Sequence, residues 1–134
     1  MKKRLEKLMR IERLQRRLHD LSVWRLTALG QQRDQLTNAH GEMLDAVGTG
    51  LLAFGPPAAA ATRRIRALEV EIAVVKGGYE EQAKRSFEQG VKSRLADRAR
   101  EGAAADLRAD LEKRTLSELI DWSLQRPTSG SHKP

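Results

Sequence analysis

Between Met1 and Trp122 the apolar residues fall into two helical stripes. One stretch that cannot continue a helix separates them, Gly48-Thr-Gly-Leu-Leu-Ala-Phe-Gly-Pro-Pro57. Before it, Leu8, Ile11, Leu14, Leu18 and Leu21 recur at steps of three or four residues; after it, Ile65, Leu68, Ile72, Val75 and Tyr79 do the same. A 3.5-residue spacing is the seam of a coiled coil. With a single break the two stripes can meet only if the chain folds back on itself. The expected fold class is therefore all-α, a long antiparallel two-helix coiled-coil hairpin with a longer second helix.

The pattern predicts one helical domain over 1–126, built from a helix at 3–47, a tip at 48–57 and a helix at 58–125, followed by a disordered tail at 127–134. Gly48, Gly50 and Gly55 can adopt positive φ, and Pro56-Pro57 cannot extend a helix that precedes them. Proline is favoured in a first helical turn, so Pro57 before Ala58-Ala-Ala-Ala61 marks the second start. After Leu21 the apolar positions shift to Leu26, Leu29, Leu36, Met43 and Val47, an eleven-residue slip from Leu18 to Leu29 that predicts a locally relaxed supercoil. Gly30 and Gly41 weaken the same region, and Gly77-Gly78 is the expected kink of the second helix. Tyr79 and Phe87 have seam spacing and read as core.

Folding about a tip near Phe54 pairs positions whose numbers sum to roughly 107. Leu29 then lies near Tyr79 and Met1 near Asp106. Residues 107–125 project past the first helix by ~28 Å at the helical rise of about 1.5 Å per residue. That overhang is apolar: Leu107, Leu111, Leu119 and Trp122 share one face, and Leu116, Ile120 and Leu124 form an adjoining one. Seven such side chains need a cover, supplied either by a dedicated partner or by the chain itself through bending or dimerisation.

Charge sharpens this picture. The chain carries +7 overall, yet residues 1–36 hold ten basic and four acidic side chains, so nearly all the excess sits on the first helix. Arg10, Arg13, Arg16 and Arg17 are its centre. Such a stripe attracts nucleic acid, anionic lipid or an acidic protein surface, and it is equally the solvated face of an Arg-rich coiled coil. Charged residues make up 32% and aromatics 4%, which fits extended helices better than a compact core. Trp24 and Trp122 are the two largest apolar side chains and both fall off the heptad, which makes them candidates for partner contact.

Catalytic, metal and cofactor chemistry finds no foothold. The absence of cysteine removes disulfides, thiolate sites and thiol nucleophiles. His19, His40 and His132 form no ligand-spaced pair. Gly48-Thr-Gly50 lacks the Gly-Lys-Ser/Thr that completes a phosphate loop. Carboxylate pairs such as Asp106 with Asp110 and Glu118 with Asp121 lie on helix surfaces, whereas acid–base work needs a cleft, which a hairpin does not offer. The expectation is a non-enzyme without cofactor. No apolar run reaches the ~20 residues of a membrane span, and a cytoplasmic location follows as the default. At the tip, Leu51-Leu52-Ala53-Phe54 could pack back on the helices or stand out as a knob.

The basic opening Lys2-Lys-Arg-Leu-Glu-Lys-Leu8, the break at 48–57, the longer second helix and the close Leu111-Glu-Lys-Arg-Thr-Leu-Ser-Glu-Leu-Ile-Asp-Trp122 together resemble the FliJ family, small coiled-coil proteins of the bacterial flagellar export apparatus. The resemblance covers nearly the whole chain as a pattern, without a diagnostic motif. It implies a rod like the γ stalk of rotary ATPases, seated in a hexameric export ATPase and touching a membrane export-gate protein, peripheral at the inner membrane. A stalk protein of type III secretion has the same pattern. Glycines at 77–78 and an alanine-rich, Pro-Pro tip depart from the more polar, glutamine-rich members. The expected function is thus an adaptor or stalk of protein export, with Leu107, Leu111, Leu119, Trp122, Trp24 and Arg10, Arg13, Arg16 and Arg17 as partner-binding candidates. Two other classes remain: sequence-independent nucleic-acid binding through the basic helix, and a structural coiled coil that homodimerises.

Overall fold

A computed structural model describes residues 1–50 and 55–125. Among these residues the chain is an antiparallel two-helix coiled-coil hairpin with a longer second helix. Helix α1 spans Lys2–Gly48 and helix α2 spans Gly55–Gln125. The tip segment 51–54 and the tail 126–134, on which the knob and the disordered tail were expected, lie outside the described residues.

The break has the chemistry its glycines predict. Gly50 takes φ 80° and donates its N–H to the Val47 carbonyl at 3.1 Å, tightening the end of α1. Gly55 takes φ 71° and opens α2, so Pro56 and Pro57 both fall in the first turn, where missing N–H groups cost nothing. The second helix therefore begins about three residues earlier than the alanine run suggests. Neither helix is interrupted elsewhere. α1 runs unbroken through Gly30 and Gly41, which end no helix, and α2 runs unbroken through Gly77-Gly78.

Two compact units make up the chain, each from a length of both helices: Met1–Leu14 with the stretch from Arg94, and Gln15–Ser93. In the second unit the apolar core is conventional. Ala61, Leu68 and Val75 are buried, with Leu68 fully enclosed, and Ile65, Ile72 and Tyr79 fill the steps between. Leu26, Leu29, Leu36, Met43 and Val47 are the half-buried positions of α1 there. The expected neighbourhood of Leu29 and Tyr79 appears as a close contact one residue on: a Cβ at Gly30 would meet the Tyr79 ring at 3.3 Å. The Arg33 guanidinium lies 4.5 Å from the centre of the same ring, a cation–π pair. His40 Nε2 lies 3.2 Å from Glu69 Oε1.

Toward its far end the unit changes character. The seam continues at heptad steps, but its side chains are polar: Gln15, His19 and Ser22 on α1, Gln82, Ser86, Gln89 and Ser93 on α2. The Gln82 side-chain amide donates to the Ser22 carbonyl at 3.1 Å and to its hydroxyl oxygen at 3.0 Å. The Gln89 amide donates to the Gln15 carbonyl at 3.3 Å and to its side-chain oxygen at 2.6 Å. Gly90 leaves room for the His19 ring, since a Cβ there would stand 3.1 Å from Cε1. In the first unit Glu12 is buried and accepts a hydrogen bond from Arg100, while Leu5, Leu8, Ala96, Ala103 and Leu107 supply the apolar positions.

This overturns the expected seam of α1. Ile11, Leu14, Leu18 and Leu21 are exposed, and the inward positions belong to Glu12, Gln15, His19 and Ser22, each one residue later. The reason is rotational phase. Counting back from Leu26 by four and three lands on Ser22, His19, Gln15, Glu12, Leu8 and Leu5, so the apolar layers at both ends of α1 share one heptad phase. The intervening aliphatics are out of phase by about 100°, the rotation per residue of an α-helix. The eleven-residue slip belongs to the apolar sequence and not to the seam. Phe87, expected in the core, is 68% exposed for a like reason: Ser86 holds the inward position.

Two stability measurements test this phase. Leu68→Ala should cost about 2–4 kcal/mol in urea or thermal unfolding, and Phe87→Ala under about 0.5 kcal/mol; the opposite ranking contradicts the assigned seam. Gln89→Leu alone should destabilise by about 1 kcal/mol, because the half-buried Gln15 amide loses its partner. The double change Gln15→Leu with Gln89→Leu should recover that loss and add about 1 kcal/mol from apolar burial. A double variant weaker than either single change would show that these amides do not face each other.

Candidate interaction surfaces

Three surfaces gather the partner-binding candidates. The first is the basic side of α1. Arg10, Arg13, Arg16 and Arg17 are all exposed. Arg10 and Arg13, with Glu6 and Met9, line a depression of about 250 Å³ in the first unit. Among the described residues no ion pair involves Arg10, Arg13 or Arg17, so their charge is offered to solvent. Arg100 is different. Its pKa is raised above the ordinary arginine value, first by the hydrogen bond to Glu12 and then by that carboxylate's charge, so it acts as a seam cation.

The second surface is the end of α2. Leu107 is half-buried and Leu111 half-exposed, and both line a depression with Met1, Lys2, Asp110 and Arg114. They are therefore within reach of the start of α1 and not beyond it, as simple counting had placed them. The register explains the difference: in the first unit Glu12 meets Arg100, so the paired numbers sum higher than the value expected from the tip and α1 reaches further along α2. Asp110 receives Arg114 at 3.1 Å one turn on, a surface pair of modest worth. Beyond this point Leu116, Leu119, Ile120, Trp122 and Leu124 are exposed, Trp122 by 61% and Leu124 by 80%. The uncovered segment thus begins near Leu116. Leu119 and Trp122 keep the exposed status expected of them; Leu116, Ile120 and Leu124 belong beside them.

The third surface was not legible as a site in the sequence. It is made of aliphatics of α1 that each unit leaves exposed, Ile11 and Leu14 in the first and Leu18, Leu21 and Val23 in the second, where Trp24 is 67% exposed. A signal for it existed: four aliphatics in strict 3-4-3 steps, each immediately before a polar residue at the phase set by Leu26 and Leu29.

Among the described residues no group of three His, Asp or Glu side chains could hold a metal ion. His19 Nδ1 is buried beside Gly90 with no hydrogen-bond partner among them. Among the described residues no helix is long and apolar enough to cross a membrane. No protein-family model, curated protein or solved structure matches this chain.

Proposed function

We propose that this chain is a non-enzymatic coiled-coil adaptor or stalk of a flagellar or type III-like protein export apparatus, acting in the cytoplasm on an export ATPase and a membrane export gate. One observation carries the reading most: the apolar end of α2, Leu116–Leu124, whose five large apolar side chains are all at least half exposed. A helix that ends in five exposed large apolar side chains is suited to insertion into a partner. The resemblance of the basic opening, the single break and the longer second helix to FliJ-type proteins supplies the partner class. The hairpin fold is compatible with it.

Leu119→Ser with Trp122→Ala should leave the melting temperature of the isolated protein within about 2 °C, because both side chains are exposed. Binding to the hexameric export ATPase should fall at least 100-fold, since burying each side chain in a partner is worth roughly 1.5–3 kcal/mol. Cooperative unfolding of the double variant at ordinary temperature would instead make these residues core.

A second reading is favoured by the unpaired arginines at 10, 13 and 17: sequence-independent nucleic-acid binding. Under the export reading, replacing Arg10, Arg13, Arg16 and Arg17 by Gln changes helicity little and leaves no duplex binding to lose at moderate salt. Should the wild-type protein bind duplex with a steep slope of log affinity against log salt, flattened by these four changes, the nucleic-acid reading replaces the export one.

A further inference from the structure

We propose that the outward face of α2 between Arg63 and Glu81 pairs with the same face of a second copy of this chain, the two helices running antiparallel about a two-fold axis at Ile72. This goes beyond the export reading and does not depend on it, since it concerns a length of α2 that lies wholly within the unit Gln15–Ser93.

A second heptad gives the first argument. Arg63, Ala67, Val70, Val74, Gly77 and Glu81 recur at steps of four and three along the unbroken α2, and all six are exposed. Val70 and Val74, at its centre, are 64% and 70% exposed. The stripe lies about 150° around the helix axis from the Leu68, Val75 and Tyr79 positions that face α1. In this unit α1 therefore does not stand in the way of a helix laid along it. Glycine inside a helix costs stability relative to alanine, and a Cβ at Gly77 or Gly78 would meet nothing within 4 Å. The hairpin makes no use of that room; a second backbone approaching closely does.

Charge chooses the occupant and its direction. The stripe is basic at one end and acidic at the other: Arg63 and Arg66 precede Val70, and Glu80 and Glu81 follow Gly77. Arg63 stands nine residues before Ile72 and Glu81 nine after it; Ala67 and Gly77 stand five away, Val70 and Val74 two. An antiparallel pair centred there sets Arg63 against Glu81, Ala67 against Gly77 and Val70 against Val74, each contact made twice. Flanking positions of one side meet each other in such a pair, which brings Arg66 to Glu80. In a parallel pair each of these charges would face its own copy, and facing like charges select against that arrangement.

Little is given up to make these contacts. Among the described residues no ion pair involves Arg63, Arg66 or Glu80, and Glu81 has only an exposed contact with Arg85 at 3.8 Å. On the opposite flank Glu71 meets its own copy, and Arg64, 3.8 Å from it, offsets the repulsion. The stripe is about 27 Å long and its side chains are small, near the lower size limit of specific interfaces, so the dimer exchanges with monomer at micromolar chain.

The test uses the full chain. Sedimentation equilibrium at roughly 0.1–1 mM chain should show monomer and dimer in exchange. Val70→Gln with Val74→Gln should weaken the dimer at least tenfold and leave the unfolding transition in place, because both side chains are exposed and glutamine is the better helix former. Glu80→Lys with Glu81→Lys should abolish self-association, as should Arg63→Glu with Arg66→Glu, whereas an equimolar mixture of the two variants should form the dimer again. Direction is read by cross-linking, since the chain has no cysteine of its own. Ala67→Cys mixed with Gly77→Cys should give mainly the mixed disulfide on oxidation. A chain that stays monomeric across this range, a dimer indifferent to the valine changes, or disulfides mainly between like variants overturns the inference. Self-association lost with Leu119→Ser and Trp122→Ala, and kept with the valine changes, places the contact at the end of α2 and overturns it too.

Discussion

The rotation of α1 about its own axis is the constraint on which the rest of the molecule depends. Leu68 is completely enclosed, and with Ile65, Ile72, Val75 and Tyr79 it meets the half-buried series Leu26 to Val47. Packing of this kind fixes which side of a helix faces inward, because a seam only one residue out of phase is turned by about 100°. Within the second unit that choice turns Ser22, His19 and Gln15 inward and leaves Leu18 and Leu21 outward. Tyr79 is the pivot of the arrangement: its ring fills the space that Gly30 leaves and accepts the Arg33 guanidinium.

A polar seam is the consequence. Burying an amide or a carboxylate costs more than burying a leucine unless its hydrogen bonds are restored. Here they are restored across the helix pair, by Gln82 on Ser22, Gln89 on Gln15 and Arg100 on Glu12. Directional bonds of this sort define register in a way that interchangeable leucines do not, as a single buried polar position does in many coiled coils. They also account for the small residues opposite them. Ser86, Gly90 and Ser93 occupy little volume, and Gly90 gives His19 a place that even an alanine methyl would crowd.

The hairpin itself was legible because it depends on features that sequence carries locally: 3.5-residue spacing, one glycine-proline break and two prolines suited to a first turn. The pairing of Leu29 with the region of Tyr79 followed from chain geometry alone. The phase of residues 11–22 was not legible, since local hydrophobicity favours Ile11, Leu14, Leu18 and Leu21, and the deciding contacts, at Gln82, Gln89 and Arg100, are 60, 74 and 88 residues away. Phe87 misled for the same reason, as an aromatic beside a serine reads as core until the seam is known to pass through Ser86. The exposed end of α2 was legible in kind but not in extent. Its start depends on how far α1 reaches, and the pairing of Glu12 with Arg100 moves that point past Leu111.

Placing apolar residues outside and polar residues inside over the same turns has a functional reading. Ile11, Leu14, Leu18 and Leu21 keep 37–55% of their surface in water, where it adds nothing to stability, whereas a half-buried Gln–Gln contact contributes only modestly once desolvation is counted. A chain under pressure for monomer stability alone would exchange the two sets, which requires only a shift of one residue in the pattern. Retaining the offset leaves aliphatic side chains of each unit on the outside of a helix whose inward residues are held by hydrogen bonds. The end of α2 presents its apolar residues by different means, by running on past the depression that Met1, Lys2, Leu107 and Leu111 line.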